Sequence, residues 1–232
     1  MVASRAPHLV RLLLMITLVT GMVDAFSYLT LGRVFVANMT GNVVFLGFAW
    51  AGEGSLSAAL SLVALFAFLL GALAGGVLAA RRGTHRGRHL LSGAAVSLAP
   101  LAIALVVAMS ADQPYVGTGR YALVGLLGVA MGVQNATARA LGVPDATTTV
   151  LTLTLTGLAA DTQRPQGANP RVVRRVMSVL AMLAGALIGG FLVLHVDPVW
   201  GLAAAVVTMV VVSGTGIALV RGTSADDWQA AH

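Results

Sequence analysis

The amino-acid sequence predicts an all-α integral membrane protein: six transmembrane helices plus two short re-entrant or broken segments, built as two inverted-topology repeats. Three observations carry this reading. Of 232 residues, 58% are hydrophobic and only 9% charged, against roughly 25% charged in a soluble domain, so polar side chains cannot cover a water-facing surface. The apolar residues gather into discrete runs, six of them with the ~20 residues needed to span roughly 30 Å of hydrocarbon. Finally, short blocks recur in the same order in the two halves of the chain.

Taken in order, the apolar runs are Leu9–Gly32, Val34–Gly52, Leu56–Ala80, Leu90–Ser110, Tyr121–Gly142, Ala146–Ala160, Val172–Val196 and Val199–Val220. The first has Arg5 before it and Arg11 at its start but outruns the roughly 7–15 apolar residues of a secretory signal and lacks a small-x-small cleavage site, so it reads as a retained helix. The second and sixth are short and polar, carrying Asn38-Met39-Thr40-Gly41-Asn42 and Thr147-Thr148-Thr149 with Thr152, Thr154 and Thr156.

Arginine decides between topologies, because positive charge in short loops is retained on the cytoplasmic side. If all eight runs cross, giving parallel repeats, the arginines divide eight against six. If the second and sixth enter and return on one face, twelve lie inside and only Arg33 and Arg120 outside. The second arrangement is favoured, with both termini cytoplasmic. The net charge of +6 then marks topology, and nucleic acid is not an expected partner. Cysteine is absent, so thiolate chemistry is excluded.

The whole chain reads as one transmembrane domain, with repeat A over 9–110 and repeat B over 120–221. Gly21-Met22-Val23-Asp24-Ala25 corresponds to Gly132-Val133-Gln134-Asn135-Ala136, and Leu31-Gly32 to Leu141-Gly142. Met39-Thr40-Gly41-Asn42 corresponds to Leu151-Thr152-Leu153-Thr154, and Gly71-Ala72-Leu73-Ala74-Gly75-Gly76 to Gly185-Ala186-Leu187-Ile188-Gly189-Gly190. Three crossings per unit is an odd number, so the second unit inserts upside down. Secondary transporters are often built this way, with sites near the midplane where broken helices meet.

Asp24 is the foremost candidate, since an ionisable side chain in a spanning helix is costly and usually functional. It lies 13 residues beyond Arg11, about 20 Å along a helix, in the outer third of the membrane. It reads either as a proton- or cation-coupling group or as a carboxylate capping the broken segment or bonding Asn38 or Asn42. Asn135, with Gln134 beside it, holds the equivalent place in repeat B. Thr40, Gly41 and Asn42 combine a bendable backbone with groups that satisfy freed carbonyls or coordinate a solute; Thr152 and Thr154 are their partners without the glycine. Arg139 reads as snorkelling to the cytoplasmic face. His85 and His89 read as part of a basic cytoplasmic loop unsuited to a metal. Gly71 to Gly75 and Gly185 to Gly189 have the small-xxx-small spacing of close helix packing, within the chain or across a homodimer seam.

The stretch Gly21-Met22-Val23-Asp24-Ala25-Phe26-Ser27-Tyr28-Leu29, followed by Val34-Phe35-Val36-Ala37-Asn38-Met39-Thr40-Gly41-Asn42, resembles the YoaK-like family of bacterial membrane proteins, catalogued as a domain of unknown function. Met131-Gly132-Val133-Gln134-Asn135-Ala136 extends the resemblance over nearly the whole chain, although the family typically shows Thr-Gly-Thr where this chain has Thr152-Leu153-Thr154. The resemblance implies a bacterial inner-membrane location and supplies no activity.

The expected function is therefore a small-solute transporter or permease with its pathway near Asp24, Asn38, Thr40, Gly41, Asn42, Gln134, Asn135, Thr152 and Thr154, coupled to a proton or cation. A channel of the same architecture, or a non-transporting scaffold or sensor, is the alternative. No hydrolase, Walker or metal motif is present, so neither enzyme activity nor a cofactor is expected.

Overall fold

A computed structural model describes residues 7–82, 86–142, 156 and 170–222. The elements are α1 (Pro7–Thr30), α2 (Met39–Trp50), α3 (Ala58–Arg82), α4 (Arg86–Ser110), α5 (Gly117–Ala140), α6 (Pro170–His195) and α7 (Pro198–Gly222), with no strand among the described residues. All but α2 are long and apolar enough to cross a membrane, six spans in all. The protein is an all-α, multi-pass membrane protein. The second short segment, 146–160, with Thr152 and Thr154, lies outside the described residues except for Thr156.

Helix directions follow from which residues meet. Arg33, just past α1, donates from Nη1 to Ser55 Oγ, just before α3, at 3.1 Å. The chain between them thus leaves and returns at one end of the bundle. With only 12 residues, or about 18 Å of helix, α2 does not cross, and a crossing of all eight runs is excluded for this segment. Its apolar side faces outward, with Val43, Phe48 and Trp50 exposed, as suits a short helix lying against lipid.

Two long-helix pairs build the interior, α1 against α6 and α3 against α5. Both run parallel: Leu18 meets Gly185 and Met22 meets Gly189, while Val129 meets Gly71 and Val133 meets Gly75. Gly21 in turn lies on the backbone of Met182 and Ala186, and Gly132 on that of Phe68 and Ala72. Any Cβ at these glycines would overlap main chain, so glycine is what allows the backbones to touch, and dispersion between close backbones holds helices together where lipid offers no hydrophobic drive. Two of the four pairs of corresponding blocks, those of Gly21 with Gly132 and of Gly71 with Gly185, therefore form two corresponding crossings. The small-residue seam lies within the chain.

The remaining helices close the bundle. The start of α4 meets the end of α5, where Gly93 lies on Thr137, and α7 brings Gly216 between Leu12 of α1 and Leu91 of α4. These contacts collect Arg11, Arg81, Arg86, Arg88, Arg139, Arg174, Arg175 and Arg221 at one end, while Arg33 and Arg120 lie at the other. At that second end the α4–α5 and α6–α7 loops are joined by Gln113 Nε2 donating to Asp197 Oδ1 at 3.2 Å. Tyr115 sits in this loop with its phenol raised above the ordinary value, by burial first and by the Asp197 carboxylate second.

Replacing Gly185 by Val should destabilise the bundle by about 1–3 kcal/mol, the usual cost of forcing atoms into a filled interface. Gly76, with open space at its Cβ, should accept Ala without loss. Unfolding in detergent titrations, followed by circular dichroism, checks both.

Candidate functional site

On α1, Thr17, Thr20, Asp24 and Ser27 are all buried, and their spacing of three, four and three residues sets them on one face of the helix. The hydroxyls are satisfied along the helix itself: Thr17 donates to Leu13 O at 2.9 Å, Thr20 to Ile16 O at 3.0 Å and Ser27 to Asp24 O at 3.2 Å. This removes the cost of carrying them in lipid. Asp24, two turns before the end of α1, cannot be satisfied this way.

Its partner is the main chain that follows. After Leu31, Gly32 and Arg33 take up positive φ angles of 92° and 59°, which turns the chain sharply back toward the bundle. Residues 34–38 then run without helical bonds, leaving free N–H groups. Val36 N donates to Asp24 Oδ1 at 3.0 Å and Ala37 N at 2.9 Å. The Asn38 N–H also acts favourably on the carboxylate. Asn38 is the N-cap of α2, so the carboxylate lies at the positive end of that helix dipole, where an anion is stabilised.

Asn42 fixes the same segment from the other side. Its Oδ1 accepts from Phe35 N at 2.9 Å and its Nδ2 donates to Phe35 O at 2.6 Å. One side chain thus completes both main-chain groups of Phe35. The Phe35 ring stacks on Tyr28 at 5.0 Å and on Phe45 at 5.8 Å. A Cβ on Gly41 would press on that ring at 2.8 Å, so this glycine makes room for an aromatic side chain. The bend expected at Thr40-Gly41-Asn42 lies instead in 34–38, because Asp24 and Asn42 between them supply the partners that a break in helical bonding requires.

The sequence-derived set is therefore divided. Asp24 and Asn42 grip the same five residues. Asn38 and Thr40 are exposed among the described residues and do not turn toward Asp24; Asp24 takes its hydrogen bonds from main chain, not from the side chains of Asn38 or Asn42. Gln134 and Asn135 are buried on α5. Gln134 Nε2 donates to Ile16 O and to Thr20 Oγ1, each at 3.0 Å, and Asn135 Nδ2 donates to Met131 O at 2.9 Å. Arg139 is exposed at the end of α5.

His89 is corrected by the structure. It does not stand in a loop: α4 begins at Arg86, and the imidazole is buried in its first turn, 4% exposed. Three residues into a helix that packs on α5, the ring turns inward while Arg88 turns out. Thr17, Thr20, Ser27, Thr137 and His89 are thus buried polar groups that sequence reasoning passed over. The spacing of the α1 set was a readable signal. Among the described residues no group of three metal-ligating side chains occurs.

The family model described as "Protein of unknown function (DUF1275)" matches residues 12–215. Among curated proteins, the chain is similar to the "UPF0700 transmembrane protein YoaK" of Bacillus subtilis (strain 168), 34% identical over 154 residues, which are 65% of this chain and 65% of that protein. The alignment thus spans just under two thirds of the relative's length. No solved structure matches.

Replacing Asp24 by Ala should orphan the Val36 and Ala37 N–H groups at about 1–3 kcal/mol each, and Asp24→Asn, which keeps an acceptor, should cost less. Hydrogen exchange at Val36 and Ala37, read by mass spectrometry, should speed up in the first variant far more than in the second.

Proposed function

The chain belongs to the DUF1275 family of membrane proteins, and from that premise we propose that it is a small-solute transporter or permease working by alternating access between two inverted halves. The observation that carries the reading is the reciprocal crossing: α1 on α6 and α3 on α5 use corresponding glycines of the two repeats, and each crossing joins one half to the other. Repeat A (9–110) and repeat B (120–221) each supply three crossing helices. Their opposite orientation follows from the odd number. Two halves interlocked through backbone contacts, with a broken segment beside the crossing, is an arrangement suited to rocking about a central site.

The arginine asymmetry supports a bacterial inner-membrane orientation with the α1 start and the α7 end cytoplasmic. Asp24 serves in this proposal as the coupling group, for a proton or a cation. Ionised, it holds the entry to α2; neutralised, it accepts from the same N–H groups more weakly, since hydrogen bonds to a charged group are about twice as strong. Occupancy at Asp24 thereby bears on the position of the re-entrant segment. Asn135, the uncharged counterpart, leaves coupling to one half alone. Asn42, Gln134, Thr152 and Thr154 complete the proposed pathway lining, with Asn38, Thr40 and Gly41 at its outer mouth.

The cysteine-free sequence permits a test that needs no substrate. Cysteines at Glu53 and Asp112 should react only from outside, and those at Arg88 and Arg139 only from the cytoplasm. Ser27→Cys and Thr137→Cys, buried toward opposite ends, should each be labelled by a small thiosulfonate from its own side, and conditions that raise one should lower the other. A channel makes both reactive from either side; a scaffold leaves both protected.

A further inference from the structure

Besides Arg174 at Nε on the partly buried start of α6, three side chains of the interior keep buried polar atoms without a hydrogen-bond partner: Asp24 at Oδ2, Gln134 at Oε1 and His89 at both ring nitrogens. All three side chains are more than nine-tenths buried. Orphan atoms of this kind are uncommon in folded proteins and each calls for a cause, of which internal water is the commonest. They are not scattered.

Gln134 is oriented by chemistry. Ile16 O can only accept, and Thr20 donates its own proton to that carbonyl, so both contacts require the amide NH2 of Gln134. Its Oε1 therefore faces away, as a bare acceptor in the interior. Thr20 lies one turn below Asp24 on the same face of α1, about 6 Å along the axis. In the opposite direction Thr137 follows Gln134 on α5 by three residues, about 4.5 Å of rise. Thr137 donates to Val133 O at 2.8 Å and abuts Gly93 of α4, one helical turn beyond His89 on that helix. Asp24, Thr20, Gln134, Thr137 and His89 are thus consecutive buried polar groups on α1, α5 and α4. They lead from the level of the re-entrant segment to the arginine-rich end.

We infer that these residues form, with internal water, a proton path by which Asp24 exchanges protons with the arginine-rich end, His89 being its entry. A proton relayed inward from the arginine-rich side by internal water adds to one ring nitrogen of the buried His89, and the imidazolium passes a proton to a further internal water. That water chain, oriented by the Gln134 Oε1 acceptor and the Thr20 hydroxyl, delivers a proton to Asp24 Oδ2. The imidazole returns to neutral and the carboxylate becomes a carboxyl, so charge and protons balance. Oδ1 keeps its two main-chain donors throughout. Gln134 and Thr20 position the path and are not themselves titrated.

The groups around this route fit the assignment. Asp24, His89 and Tyr115 are the buried ionisable side chains among the described residues, and Tyr115 belongs to the other end, donating to Ala108 O at 3.2 Å. At the same end of the bundle stand His8 and Arg11 of α1, Arg81 of α3, Arg86 and Arg88 of α4, Arg139 of α5, Arg174 and Arg175 of α6 and Arg221 of α7. None hydrogen-bonds the His89 ring. No acidic side chain of the described residues lies at that end to trap the proton. The inference concerns the proton supply of one carboxylate and holds whether or not a solute crosses.

The test uses the full chain in sealed proteoliposomes sorted by orientation. Infrared spectroscopy follows the C=O stretch of a protonated carboxyl that is missing in Asp24→Asn, after rapid acidification of one side. The band should grow when the arginine-rich side is acidified. His89→Phe and Gln134→Leu should each slow that growth by about a hundredfold, the low end of what a positioned proton-transfer group contributes, while Asp112→Asn leaves it unchanged. If His89→Phe does not fold, His89→Gln replaces it, keeping polarity without a titratable ring. A band that answers only to the opposite side, an unaltered rate in both variants, or no Asp24 band on either side overturns the inference.

Discussion

The pairing of the Asp24 carboxylate with the bare main chain of residues 36–38 is the interaction on which the rest of this structure depends. In lipid, neither partner is tolerable alone: an ionised carboxylate is expensive, and so is a stretch of backbone without hydrogen bonds. Together they cancel each other's cost. Two N–H groups at 3.0 and 2.9 Å and the start of α2 meet the carboxylate, and its acceptor oxygen is what permits the chain to stop being helical there. Asn42 completes the arrangement by taking both polar groups of Phe35. The re-entrant segment is consequently part of the interior, although its outer face lies open.

Backbone contact between helices supplies the second constraint. Because Gly21, Gly71, Gly132 and Gly185 each lie against main chain of a partner helix, the interior has little tolerance for added atoms, and the polar side chains of α1 and α5 are held at fixed heights. Gln134 can reach Ile16 and Thr20 for this reason. Conversely, some polar atoms find no partner in the tight interior, Gln134 Oε1 and the His89 ring among them.

Much of this was legible in the sequence. The six spans could be read from hydropathy because lipid imposes a minimum apolar length, and the arginine pattern favoured six crossings over eight, in keeping with the Arg33–Ser55 bond at the ends of the first short segment. Asp24 stood out since no other acid lies inside a spanning run. Its partners could not be foreseen: main-chain donors carry no residue signature, and side-chain amides at 38 and 42 offered a more visible answer. Gly41 was read as a hinge because glycine allows bending, whereas here the missing Cβ serves the Phe35 ring. His89 was hidden by its neighbours. Four basic residues around it suggested a loop, yet once α4 starts at Arg86 the helical period alone turns position 89 inward.

The corresponding blocks of α1 and α5 agree in their backbone contacts and differ in chemistry. Glycine at 21 and 132, and at 71 and 185, keeps the crossings alike, so the halves are held by equal contacts. At the position where a charge would be carried, one has Asp24 and the other Asn135, which donates to the carbonyl one turn back. An amide has no proton to gain and no charge to lose. At these two corresponding positions the backbone contacts are matched, whereas the capacity to carry a charge is confined to α1.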